Sequence, residues 1–143
     1  MAVKFQLASA QLPLILVKVA VSGKNAQRIV TAILDTGATG CVMAQSLAAD
    51  LELPHLNVPK SEKSAHGIGG EIKIEIVKVS AISLDGITIK NLRTAVTDLS
   101  VVEEQFKAAG IAAKKKVELI LGYSFFKGRR LTIDYKRKTL SIR

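Results

Sequence analysis

The chain has no tryptophan, one cysteine, three prolines and six other aromatic residues among 143 positions. Each scarcity removes a class of structure. A lone Cys41 excludes an intrachain disulfide framework and suits a reducing compartment. Few aromatics leave the apolar share, 48% of residues, to Val, Ile, Leu and Ala, a mix that favours strands packed closely on strands. Long apolar runs are missing too. The longest candidate, Leu12 to Val21, is interrupted by Lys18 and falls short of the roughly 20 residues a membrane helix needs. Ala8-Ser9-Ala10 has the small-residue character of a cleavage site, but the stretch before it is short and carries Lys4 and Gln6, so it reads as a plain N-terminal strand. The expectation is a cytoplasmic protein with no membrane partner.

Acidic residues are also in short supply, 12 against 21 Lys and Arg, for a net charge of +9. The excess gathers late, in Lys114-Lys115-Lys116, Lys127, Arg129-Arg130 and Lys136-Arg137-Lys138. Such clusters can bind nucleic acid, but without interleaved aromatics or a nucleic-acid motif they read as solvated loops and protected strand edges. Nucleic acid is not an expected partner.

What is present is a sequence of strands. Pro13 to Ser22, Arg28 to Leu34, Val77 to Leu84 and Ile87 to Val96 are apolar or alternating, with turn residues at Ser22-Gly23-Lys24-Asn25 and Asp85-Gly86. Glu71 to Ile76 alternates charged and apolar, the pattern of a half-exposed strand following the glycine-rich tip His66 to Gly70. Ala44 to Leu53 and Leu99 to Ala109 have helical spacing, stopped by Pro54 and Gly110. A short run, Val117 to Gly122, leads into a turn of helix at Tyr123 to Lys127, and Arg130 to Tyr135 with Thr139 to Ile142 form a closing hairpin. No repeat or linker divides the chain, so residues 1–143 read as one domain.

The chemistry centres on Asp35. A β-branched apolar strand breaks at Asp35-Thr36-Gly37, which presents a carboxylate at a strand end. Two such carboxylates a few ångströms apart cannot both ionise; they share a proton and hold a water between them. The ionised partner takes a proton from the water as it attacks an amide carbonyl, and the protonated one stabilises the oxyanion. In this scheme Gly37 lets its amide approach the carboxylate, Thr36 bonds across to the opposite loop, and Thr39 donates to the carboxylate from the side. Ile33 and Leu34 anchor the strand. As an ordinary strand-end turn residue, Asp35 would have none of these companions.

The remaining chemical residues have plainer readings. Cys41 has no histidine nearby in sequence and reads as a small buried packing residue. His55 and His66 lack metal-ligand spacing, so no metal or other cofactor is expected. Phe125 and Phe126 read as core anchors, and Asp134 as structural or solvent-facing.

Ala32-Ile33-Leu34-Asp35-Thr36-Gly37-Ala38-Thr39 resembles the active-site segment of the retropepsin-like aspartic proteases. His66-Gly67-Ile68-Gly69-Gly70 is similar to their flap tip, and Ile120-Leu121-Gly122-Tyr123-Ser124-Phe125-Phe126 to the segment crossing beneath the active site. Leu131 to Tyr135 with Lys138-Thr139-Leu140 resembles the closing hairpin of small bacterial members. The resemblance spans Leu14 to Ile142. It implies an all-β, closed, barrel-like acid-protease fold with one or two short helices, and a homodimer, because the chain has one Asp-Thr-Gly where two are needed.

The function it implies is aspartic endopeptidase. Asp35 from each copy is the catalytic residue, supported by Thr36, Gly37, Ala38 and Thr39. Gly67, Ile68, Gly69 and Gly70 cover a peptide or protein substrate, and Ile120, Leu121 and Gly122 form the scaffold. Two departures stand out: a basic C-terminal hairpin, awkward to pair with its own copy, and a long helical insertion over 101–113. The alternatives are a catalytically silent peptide-binding or dimerisation module of the same fold, and a basic β-domain that binds nucleic acid.

Overall fold

A computed structural model describes residues 2–59, 64–67, 70–111 and 116–143, with side chains of 64–67 and 70–73 left aside. Twelve strands and three short helices are found among these residues. The strands are β1 (Val3–Lys4), β2 (Gln6–Leu7), β3 (Ile15–Ser22), β4 (Gln27–Leu34), β5 (Val42–Ala44), β6 (Ser64–Gly67), β7 (Gly70–Lys73), β8 (Glu75–Leu84), β9 (Ile87–Thr97), β10 (Leu119–Leu121), β11 (Leu131–Asp134) and β12 (Thr139–Ile142). The helices are α1 (Gln45–Asp50), α2 (Ser100–Ala108) and α3 (Tyr123–Phe126).

Six strands close a barrel in the order β3-β4-β10-β5-β9-β8, because β8 returns to pair with β3 through Val21↔Ile82. Closure removes the edges that an open sheet of such apolar strands would expose. Most neighbours are antiparallel, but β10 runs parallel to β4, with Leu121 opposite Leu34, and β5 parallel to β9. β2 extends the barrel sheet beside β3.

Alternation along the strands fixes the inside. Ile15, Val17, Val19 and Val21 of β3 and Val30, Ala32 and Leu34 of β4 face one core with Met43, Leu119, Leu121 and Phe125. The intervening Leu16 and Ile33 point outward, where Phe106 of α2 covers them. Thus α2, inserted between β9 and β10, seals the outer wall beside the strand that carries Asp35. Phe125 and Phe126 meet edge-to-face at 5.2 Å in the main core, as their anchor reading requires. Cys41 is buried there too.

A second sheet, β1-β12-β11, sits at the chain ends. β12 is its central strand, bonded to β1 through Val3↔Leu140 and to β11 through Ile133↔Leu140. Asp134 is structural, accepting the Arg137 amide at 2.9 Å in the hairpin turn. The expected strand Glu71 to Ile76 is divided: β7 ends at Lys73 and β8 begins at Glu75. The two expected helices form as α1 and α2, and the expected turn of helix after β10 is α3, a single turn of four residues. No helix among the described residues is long and apolar enough to cross a membrane.

Candidate active site

Asp35 leaves the barrel at the end of β4. The preceding Leu34 points into the core, and the β4–β10 ladder continues one bond further, the Asp35 amide donating to the Leu121 carbonyl at 2.9 Å. That bond fixes the residue's backbone to the barrel wall, while its side chain is exposed. The turn then closes locally, with the Ala38 amide donating to the Asp35 carbonyl at 3.1 Å.

The segment Ile120-Leu121-Gly122 supports this loop from beneath. Past Leu121 the chain passes so close to the loop that a Cβ on Gly122 would collide with the Gly40 carbonyl and come within 2.9 Å of the Ala38 oxygen. Gly122 has φ −106° and ψ −170°, an extended conformation open to any residue, so space and not backbone freedom demands glycine here. The next amide, of Tyr123, donates to the Ala38 carbonyl at 2.7 Å. Ser124 then reaches back to the Cys41 sulfur at 3.5 Å. The Asp35 loop is therefore held at its start by β10 and at its far side by the first turn of α3.

Around the carboxylate the polar contacts are fewer than the sequence suggests. The Gly37 amide donates to Asp35 Oδ1 at 3.0 Å. A Cβ on Gly37 would meet that oxygen at 3.4 Å, an ordinary contact, so the bond itself does not require glycine within one chain. Among the described residues neither the Thr36 nor the Thr39 hydroxyl bonds to the carboxylate, and both threonines are exposed. The expected lateral donation by Thr39 is absent from the single chain. Asp35, Thr36, Gly37 and Thr39 are all exposed, and Tyr123, joined to the same loop through its amide, is 54% exposed. Tyr123 had no assigned role in the sequence; its exposure beside a catalytic-type loop becomes visible only when α3 is placed.

Of the glycine-rich tip, Gly67 and Gly70 pair at the end of the β6–β7 hairpin. Ile68 and Gly69 lie outside the described residues. Among the described residues no group of three or more His, Cys, Asp or Glu is arranged to hold a metal ion.

Comparison with known proteins agrees with this architecture. Residues 17–125 match the family model described as aspartyl protease. A retropepsin-like aspartic protease from Rickettsia conorii superposes with a TM-score of 0.62 at 15% identity, over 99% of this chain and 90% of that one. EIAV protease in complex with an inhibitor gives 0.55 at 17% identity, over 85% and 92%. The retroviral protease-like domain of Ddi1 from Leishmania major gives 0.52 at 17% identity, over 90% and 87%. No curated protein sequence matches the chain significantly. The matched model covers most of the chain, including the Asp35 loop and the β10 support, and the barrel is shared with solved retropepsin-like structures: the chain belongs to the aspartyl protease family and has the retropepsin-like fold.

Proposed function

We propose that the protein is a homodimeric aspartic endopeptidase whose active site forms where the Asp35 loops of two copies meet. The observation that carries this reading is the loop itself: a carboxylate braced through its backbone by Leu121, yet open to solvent and served by one backbone donor. An isolated exposed carboxylate has little power as a general base. Two brought face to face share one proton and take complementary roles.

The ionised Asp35 accepts a proton from the water held between the pair, and the water oxygen bonds to the peptide carbonyl carbon. The other Asp35 passes its proton to the carbonyl oxygen, giving a neutral tetrahedral diol. Return of a proton to the amide nitrogen then lets the C–N bond break, releasing an amine and a carboxylic acid. Thr36, Gly37, Ala38 and Thr39 support the loop; Thr36 and Thr39, unbonded to the carboxylate in one chain, supply hydroxyls to the opposite loop. Gly67, Ile68, Gly69 and Gly70 close over an extended substrate.

Within one chain β12 is hydrogen-bonded on both sides, so a second copy cannot pair with it without displacing β1 or β11. The proposed dimer joins across the Asp35 loops and the exposed Tyr123, where the two carboxylates must meet. A twofold axis through this surface makes the contact self-complementary. The test is turnover of a peptide library against protein concentration. Specific activity rising with concentration until dimers saturate supports the reading. Activity from a chain that is monomeric by light scattering, or silence from a proven dimer, sinks it; the second result favours a peptide-binding module of the same fold.

A further inference from the structure

The turn from β1 to β2 and the neighbouring β3 and β4 line an open groove of about 760 Å³. Three lysines surround it: Lys4 of β1, Lys18 of β3 and Lys138 of the β11–β12 turn. Among the described residues no carboxylate lines it and none of the three ammonium groups has an ion-pair partner. Lys18 donates to the Thr31 hydroxyl at 2.6 Å, which holds it against the wall of β4.

Lys138 is placed there by an unusual backbone. Its φ is +54°, in the left-handed region where a lysine is disfavoured. Its carbonyl accepts the Phe5 amide at 2.9 Å, so the strained turn is tied to the floor of the groove. Three exposed ammonium groups gathered around one groove give it a positive potential that favours an anionic ligand. The margin is β2, which among the described residues is an edge strand paired only with β3, the position at which a strand can be added.

We propose that this groove binds an acidic polypeptide segment in extended form, its carboxylates meeting Lys4, Lys18 and Lys138 and its backbone running along β2. Lys18 and Thr31 lie four residues before Asp35 along the ladder, roughly 13 Å at about 3.3 Å per residue. Resting on the peptidase reading, the groove then acts as a secondary docking site that selects substrates with an acidic segment beyond the scissile bond.

Binding is measured first, in the 143-residue Asp35→Asn protein, so that it does not depend on cleavage. The probe is a fluorescent peptide of alternating Glu and Leu, compared with its Gln counterpart and with inorganic pyrophosphate. The expected result is binding of the Glu peptide that weakens about tenfold or more in Lys4→Gln/Lys18→Gln/Lys138→Gln. A control with the same charge change elsewhere, Lys78→Gln/Lys90→Gln/Lys107→Gln, keeps it. Equal loss in both triple variants, no binding by the parent, or saturation by pyrophosphate with the Glu peptide inert overturns the proposal. Where the native enzyme cleaves peptides, an acidic extension lowers KM in the wild type but not in the groove variant, at unchanged kcat. Failure of cleavage with binding intact refutes the peptidase reading and leaves the groove standing.

Discussion

Gly122 lies against the Gly40 carbonyl so closely that not even one methyl carbon fits between them. The contact joins the end of β10 to the far side of the Asp35 loop, and the Tyr123–Ala38 hydrogen bond completes the clamp. Precision at Asp35 thus depends on a residue 87 positions away that carries no chemistry of its own.

Gly122→Ala forces the two backbones apart. Overpacking of this kind costs about 1–3 kcal/mol, and the displaced loop misplaces the carboxylate. Thermal unfolding should show the stability loss, and peptide cleavage should fall by more than that loss explains. An unchanged melting temperature with full activity would mean the clamp is slack.

Phe125 is completely buried against Phe126 and the barrel core. Phe125→Ala leaves a cavity, and truncations of this kind cost roughly 3–5 kcal/mol. Denaturant unfolding should record a shift of that size, far above any effect of Val101→Ala on the exposed side of α2.

Arg28 bridges Asp50 at 2.7 Å and Glu118 at 3.3 Å, joining β4 to the end of α1 and the approach to β10. The two pairs are not equivalent. Asp50 is 58% exposed, so Asp50→Ala should cost no more than about 0.5 kcal/mol. The Glu118 side chain is 12% exposed, and Arg28→Ala strands it without a counter-charge, at about 1–2 kcal/mol. Chemical denaturation of the two variants distinguishes them; equal effects would contradict this ranking.

Much of this was legible in the sequence because local signals agreed with tertiary demands. Strand alternation, the Asp85-Gly86 turn and the helix stop at Gly110 each describe a structure that neighbouring residues settle among themselves. The Asp35 loop and its β10 support were legible as motifs. Their clamp was not: Gly122 looks like a strand-ending glycine until Gly40, 82 residues earlier, is placed beside it. Closure through β3 and β8 is equally hidden, since Val21 and Ile82 pair across a long separation. Thr39 shows the opposite error, a local role expected from the motif that one chain alone does not display. The lysine groove joins three elements from both ends of the chain, and no sequence window contains it.

Exposure of Tyr123 and Thr36 beside Asp35 predicts their burial between two copies. Tyr123→Ala should weaken association roughly tenfold or more, as loss of a buried aromatic anchor does, while leaving monomer stability within about 0.5 kcal/mol. Sedimentation velocity across a dilution series gives the association constant. Unaltered association would place the interface elsewhere.

The proposed dyad would also set the pH dependence. In the proposed active state one proton is shared by two carboxylates, so cleavage should fall as pH rises and that proton is lost. It should fall again at very low pH as the second carboxylate becomes protonated. A bell-shaped kcat/KM profile with an acidic maximum is the expected outcome, unaffected by chelators. A profile still rising through neutral pH would indicate a different base.

The most direct measurement compares wild type with Asp35→Asn on a mixed peptide library, at acidic pH and at a concentration where both are shown to be dimeric. Asn preserves shape and removes the ionisable pair, so the account predicts cleavage by the wild type and none by the variant. Equal cleavage by both proteins would contradict Asp35 as the catalytic residue.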